Sequence, residues 1–337
     1  MRVGLTYNLK REMKGDEGLP EDFYAECDDL DTIEAVRDAI LERHGEVVMI
    51  EADEDAYERL RKERPELVFN MAEGVWGDSR ESHMPAIMEM LRIPYTGSGP
   101  LSLALCLNKA RAKEILSHYG IPTARFVVAT DAETDIGKFL NFPMIVKPLL
   151  EGSSKGIKND SIVHDPEGLK KKVSSVLDEY KQPALVEEFL SGREFTVALI
   201  GNGEKLKTLP IVEINYASLP EGVNHIYSYE AKWILDRPEA PLDIFNCPAE
   251  LTARLKKAID NVAIDAFRAL DVRDWCRIDI RLDGSGVPHI IELNPLPGIL
   301  MDPDCNSCFP KAARAAGMSF GDLVNSVIDA ARERYGI

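Results

Sequence analysis

The chain has 337 residues, 45% of them hydrophobic and 29% charged, and 57 acidic against 40 basic side chains give a formal net charge of -17. That length supports a large core shared by two or three subdomains, and the balance is that of an ordinary globular protein. The acidic excess argues against a nucleic-acid partner, which would need basic patches. No apolar run approaches a membrane span, and Arg2–Tyr7 opens the chain without a signal-peptide core, so no membrane association and a cytoplasmic location are expected.

Residues 2–99 alternate strand and helix signals, which predicts a parallel α/β unit. Its strands are Val3–Tyr7, Glu46–Glu51, Leu67–Met71 and a short Pro94–Gly97; its helices are Asp31–Arg43 and Ser79–Leu91. Ligands of such sheets gather at the C-terminal strand ends, which turns Tyr7–Lys14 and Asn70–Arg80 toward a cleft. The second loop, which carries Glu73, reads equally as a solvated loop or a substrate contact.

A single helix is expected over Leu101–Tyr119, with Lys109 inside it and Gly120-Ile-Pro122 ending it. Taken alone, Lys109 reads as an exposed helical lysine. Strands follow at Phe126–Ala129 and Pro143–Pro148. The latter delivers Lys147 to Glu151-Gly-Ser-Ser-Lys-Gly156, a loop of small residues that suits a phosphate, although it is not a Walker A sequence and such loops also serve as connectors.

After a charged helix, Pro166–Tyr180, the strand Ala184–Leu190 interrupts an apolar run with Glu187 and Glu188, giving an edge that a purine can use. Glu194–Ile200 and Leu206–Ile214 form a hairpin across Asn202-Gly203. Tyr227–Trp233 lies in a long aperiodic segment, as lids do. Pro248–Leu270 is a long helix, and the chain ends with helices at Lys311–Ala316 and Phe320–Tyr335. The six cysteines are scattered except for Cys305-Asn-Ser-Cys308, a single pair that points to reduced structural thiols rather than zinc.

The strongest chemical signal is Trp275–Gly298, two strands joined at Asp283-Gly284-Ser285-Gly286. A turn near Ser285 and Gly286 sets Asp279 opposite Glu292 and Arg277 opposite Asn294, all on one face, with Ile278, Ile280, Ile291 and Leu293 on the other. Two carboxylates, an amide oxygen and a guanidinium suit Mg²⁺, which takes a few protein oxygens and completes its shell with water and substrate phosphates. A solvated hairpin with cross-strand ion pairs is the alternative.

Together these elements resemble the ATP-grasp superfamily and, within it, the D-alanine–D-alanine ligase family. The matching stretches are Ile93-Pro-Tyr-Thr-Gly-Ser98, Asn108-Lys109, Ile145-Val-Lys-Pro148, Glu151–Gly156, Val186-Glu-Glu-Phe189, Gly192–Ala198, Tyr229-Glu-Ala-Lys232, Arg277-Ile-Asp279, Ile291-Glu-Leu-Asn294, Pro297-Gly298 and Ala312–Phe320. The resemblance implies an α/β chain, α+β in its C-terminal half, with an ATP-grasp fold behind an N-terminal Rossmann-like (pre-ATP-grasp) domain. The expected divisions are 1–100, 101–190 and 191–337.

It further implies ATP-dependent joining of a carboxylate to an amine through an acyl phosphate, on small amino-acid or peptide substrates, by a homodimer. Lys109, Lys147 and Lys232 would hold the ATP phosphates, Glu187, Glu188, Phe189 and Leu190 would line the adenine site, and Glu194 would reach the ribose or the lid. Asp279, Glu292 and Asn294 would bind two Mg²⁺, with Mn²⁺ a possible substitute, while Arg277 and the Gly298 N–H would stabilise the oxyanion. Ser153 belongs to the closing loop.

Four departures touch the substrates. The family's N-terminal Gly-Gly-x-Ser-x-Glu is missing, leaving Glu12, Glu17 or Glu73 to hold the donor ammonium. The family's His-Gly loop has become Asn70–Arg80, and Trp233 replaces Tyr or Phe. The loop after Gly298 is longer, and Ser307 is its candidate substrate serine. A different amino-acid or peptide substrate, or phosphoryl transfer without ligation, are the rival readings.

Overall fold

The computed structural model describes residues 1–10, 18–134, 136–220, 222–229 and 242–337. Its first unit contains β1 (Arg2–Tyr7), α1 (Leu30–Leu41), β2 (Glu46–Glu51), α2 (Ala56–Glu63), β3 (Leu67–Asn70) and α3 (His83–Leu91). The strands form a parallel sheet in the order β2-β1-β3, as the alternating pattern requires. Helix α2 escapes a reading of the sequence because it buries only Ala56 and Leu60, a single i,i+4 pair. The expected fourth strand is only a bridge of Tyr95 to Val68; Pro94 has no N–H to extend it, and Gly97 turns away at φ +87°.

The helix expected over Leu101–Tyr119 is two, α4 (Pro100–Leu107) and α5 (Lys109–His118). Asn108 breaks it in an extended conformation and caps α5 by accepting the Arg111 N–H at 3.1 Å. The break makes Lys109 the first residue of α5 and points it inward, 6% exposed rather than solvated.

A four-stranded antiparallel sheet follows, built of β4 (Phe126–Ala129), β5 (Met144–Pro148), β6 (Ile162–Val163) and, after α6 (Pro166–Tyr180), β7 (Ala184–Glu188). The third sheet contains β8 (Glu194–Ile200), β9 (Lys207–Thr208), β10 (Val212–Ile214), β11 (Phe245–Asn246), β12 (Trp275–Leu282) and β13 (Pro288–Asn294), ordered β11-β10-β8-β12-β13 with β9 also on β8. Pro210 splits the expected strand Leu206–Ile214 into β9 and β10. Helix α7 (Ala253–Ala269) starts five residues later than expected, where the Thr252 side chain caps it. The last helices are α8 (Cys308–Ala315) and α9 (Phe320–Tyr335).

One core runs from β1, α1 and β3 through Trp275 and β8 to α8 and α9, so the first and third sheets share their packing. Asp274 fastens this junction. Fully buried, it accepts hydrogen bonds from the Gly97 N–H, Asn202 Nδ2 and Arg334 Nη2 at 2.8, 2.8 and 2.7 Å. Asp274→Ala strands the Arg334 guanidinium, and a loss of about 3–5 kcal/mol is expected. Denaturant unfolding checks this; an unchanged midpoint would contradict it.

Candidate active site

The β12–β13 turn is fixed by Asp283, whose Oδ1 accepts from the N–H groups of Ser285 and Val287, each at 2.9 Å, while Gly286 adopts φ +83°. This turn sets the expected register, with Asp279 paired to Glu292 and Arg277 to Asn294. A bulge after Asp279 then shifts the pairing so that Ile280 meets Ile290. The core face therefore carries Ile290, not Ile291 as the unbroken period of two implies; Ile291 lines the adjoining cavity.

Asp279 accepts from Arg277 Nη2 and Asn294 Nδ2, both at 3.1 Å, and from Thr196 Oγ1. Glu292 faces Lys109 Nζ at 3.5 Å. Burial alone would raise the Glu292 carboxyl, but the charges of Lys109, Lys147 and Arg277 bring it below the ordinary range. Lys109 also donates to the Glu151 carbonyl.

This hairpin face borders a cavity of ≈ 290 Å³ whose lining includes Lys147, Ser153, Glu187, Glu188, Phe189, Leu190, Glu194, Arg277, Asp279, Glu292, Gly298 and Ser307. Across it, β5 and β7 present Lys147 and Glu187. Glu187 is bound by two ammonium groups, Lys147 Nζ and Lys113 Nζ, each at 2.5 Å. Burial opposes ionisation of Glu187, but the two lysines outweigh it and lower its pKa to about 2.

Lys113 is absent from the expected site, although its position four residues after Lys109 puts both on one face of α5. Glu194 accepts from Tyr216 Oη at 2.7 Å and Arg281 Nη1 at 2.8 Å, and the Arg281 guanidinium lies 4.5 Å from the Phe189 ring centre. Burial raises the Glu194 carboxyl.

The Glu151–Gly156 loop is held by a segment that the sequence reading missed. Glu26 accepts from the Gly152 N–H at 2.7 Å and from Lys155 Nζ and Arg80 Nη2, both at 2.8 Å; Asp22 accepts from the Gly156 N–H at 2.9 Å. Burial would raise Glu26, but Lys155 and Arg80 bring it down to about 2. A Cβ at Gly152 would lie 2.5 Å from Glu26 Oε1, so the contact depends on glycine. Ser153 and Ser154 take positive φ of 49° and 62°, and Ser154 Oγ donates to the Tyr227 carbonyl.

Within Asn70–Arg80, Arg80 turns inward while Trp76 stays exposed against Phe23. Glu73 lines the main cavity and, with Glu81, Lys109, Asn294 and Gly298, a smaller recess beside it. Burial, reinforced by the charges of Glu26 and Glu81, raises Glu73 well above the carboxylate range; burial and Glu26 raise Glu81 to about 8. Ser307 precedes α8, and its hydroxyl donates to the Gly298 carbonyl and accepts from the Leu300 N–H, both at 3.2 Å. Glu12, Glu17, Lys232 and Trp233 lie outside the described residues.

A family model described as D-ala D-ala ligase C-terminus matches residues 115–329. The chain is 37% identical over 274 residues to the uncharacterized protein y4sG of Sinorhizobium fredii, covering 80% of this chain and 75% of that one. It is 33% identical over 318 residues to the D-alanine–D-alanine ligase of Pelotomaculum thermopropionicum, covering 91% and 93%. The crystal structure of the D-alanine–D-alanine ligase from Bacillus anthracis superposes with a TM-score of 0.76 at 26% identity, over 100% of this chain and 99% of that one. The same enzyme complexed with ATP gives 0.72 at 23%, with the same coverage. The chain has the ATP-grasp fold and belongs to the D-alanine–D-alanine ligase family of ATP-dependent ligases.

Proposed function

We propose that the protein forms a peptide bond between two small amino-acid or peptide substrates, most simply two D-alanines, with release of ADP and phosphate. The observation that carries this reading is the single cavity that brings Lys147 and the Glu187–Leu190 edge against Arg277, Asp279, Glu292 and Gly298. ATP lies between the second and third sheets, its base along Glu187–Leu190 and its phosphates toward Lys109 and Lys147, with Lys232 completing the set. The Bacillus anthracis enzyme complexed with ATP supports ATP as the nucleotide.

The oxygen donors of the hairpin fit a hard cation. Asp279, Glu292 and Asn294 share one face of adjacent strands, with no sulfur or imidazole among them. They would hold two Mg²⁺, or Mn²⁺, which would neutralise phosphate charge. Among the described residues no group of three His, Cys, Asp or Glu side chains is arranged to bind a metal, so substrate oxygens and water would complete the shells.

Arg277 and the Gly298 N–H face the donor carboxyl as it becomes an acyl phosphate and then a tetrahedral oxyanion; preorganised donors of this kind contribute several kcal/mol to such steps. The 151–156 loop, with Ser153, excludes water, which would otherwise hydrolyse the acyl phosphate. Ser307 orients the acceptor. Functional divisions at 1–100, 101–190 and 191–337 belong to the same reading and are supported by the three sheets. So do a homodimer and a cytoplasmic location.

Glu73 binds the donor ammonium in this account. Glu73→Gln is expected to raise the donor KM about tenfold or more with the ATP KM nearly unchanged. An unmoved donor KM would remove Glu73 from the pocket. Because the free enzyme holds Glu73 protonated well above the ordinary range, the donor KM should fall as pH rises and the carboxyl ionises. Steady-state assays at stepped pH above the ordinary carboxylate range measure that slope, and Glu73→Gln should flatten it.

A further inference from the structure

Glu187 stands between two lysines of different provenance. Lys147 comes from β5, beside the loop that covers the phosphates; Lys113 comes from α5 and is the more deeply buried of the two, at 1% exposed against 3%. Each ammonium holds one oxygen of the same carboxylate at 2.5 Å. Lys113 is anchored a second time, to Thr123 Oγ1 at 2.7 Å, and Thr123 donates in turn to the Ile290 carbonyl of β13 at 2.8 Å. Lys113 thus bonds both Glu187, in the second sheet, and the support of the hairpin, in the third.

The two lysines have unequal freedom. Lys113 is fixed by two partners, whereas among the described residues the Lys147 ammonium is held by Glu187. When a polyphosphate enters the cavity, Lys147 can turn to it only if Glu187 keeps a counter-charge, because an uncompensated buried carboxylate is strongly disfavoured.

We propose that Lys113 is a positioning residue for the nucleotide: it keeps Glu187 compensated, so that Lys147 exchanges that carboxylate for the phosphates of ATP. This rests on the ATP-dependent reading above. The Glu187 carboxylate is then the resting partner of a mobile cation, and Lys113 sets how readily that cation is released.

The test is the Mg-ATP KM of the full-length enzyme, with the amino-acid KM measured alongside. Lys113→Met leaves Lys147 as the sole partner of Glu187, and the ATP KM should rise ~10–100-fold, as for loss of a charge-assisted hydrogen bond, with the amino-acid KM little changed. Lys113→Met/Glu187→Gln removes both charges and frees Lys147; because Glu187 also lines the adenine site, it is compared with Glu187→Gln alone, and the two should agree in ATP KM within about threefold, since Lys113 matters only while Glu187 is charged. The same rise in ATP KM on adding Lys113→Met to Glu187→Gln would overturn the proposal, because direct contact between Lys113 and phosphate predicts that loss whether or not Glu187 is charged. An unchanged ATP KM in Lys113→Met would do the same. Where Lys113→Met does not fold, Lys113→Gln, a polar side chain without the charge, replaces it in both comparisons. Wild-type protein without ATP turnover would instead remove the underlying functional reading.

Discussion

Lys147→Ala is expected to lower ATP turnover ~10²–10³-fold, the usual cost of removing one preorganised group from a charged transition state. The same loss is expected for Glu292→Gln, which keeps the shape of the side chain but removes half of the carboxylate charge on the hairpin face. The two losses have different origins. Lys147 pairs with Glu187 at the Glu187–Leu190 edge and lines the cavity, so its removal should appear in both the ATP KM and kcat. Glu292, between Lys109 and the Asp279–Arg277 pair, should appear mainly in kcat. Near-normal turnover in either variant would show that the cavity is not where the chemistry occurs.

The second large effect concerns the closing loop. Glu26→Gln takes from Arg80 and Lys155 one of the two carboxylates they share, leaving Glu151, and weakens the acceptor of the Gly152 N–H; losing a charge-assisted contact of this kind costs about 1.5–3 kcal/mol. The loop then loses its seat, and water should reach the acyl phosphate. Ligation is expected to fall at least ~100-fold, while ADP release without product becomes a larger share of turnover. A variant that folds and keeps ADP and product in equal amounts would refute this role.

The contact also has a pH signature. The folded carboxyl, at about 2, lies below its ordinary 4.5, so its contribution is complete above 4.5 and is lost as pH falls toward 2. Glu26→Gln should therefore remove part of the acid-induced loss of stability in that window, which thermal unfolding at stepped pH would register.

How much of this is legible in the sequence depends on the range of each interaction. The hairpin register follows from a period of two and one glycine-rich turn, and both lie within 20 residues, so Asp279, Glu292, Arg277 and Asn294 fall on one face as expected. The bulge after Asp279 does not show, because Ile290 and Ile291 are both apolar and either suits the core. The break at Asn108 is hidden by helix formers on both sides; only the side-chain cap reveals it.

The polar contacts that complete the site are long-range. Lys113 and Glu187 stand 74 positions apart, and Lys155 and Glu26 129. Glu26 itself lies in Glu26-Cys-Asp-Asp29, a stretch with no periodicity and no turn signal. Its function becomes visible only when the chain folds it onto Gly152. The family resemblance supplied the nucleotide machinery, since those motifs are compact and ordered, and left the substrate pocket open where the N-terminal signature is missing.

The most direct test of the account is phosphate release from Mg-ATP across D- and L-amino acids and short peptides, with products identified by mass spectrometry. The account predicts release that depends on an added amine and equals the peptide formed, with D-alanine the first substrate to try. Release that ignores the amine, or a phosphorylated product that accumulates without a new peptide bond, would contradict it.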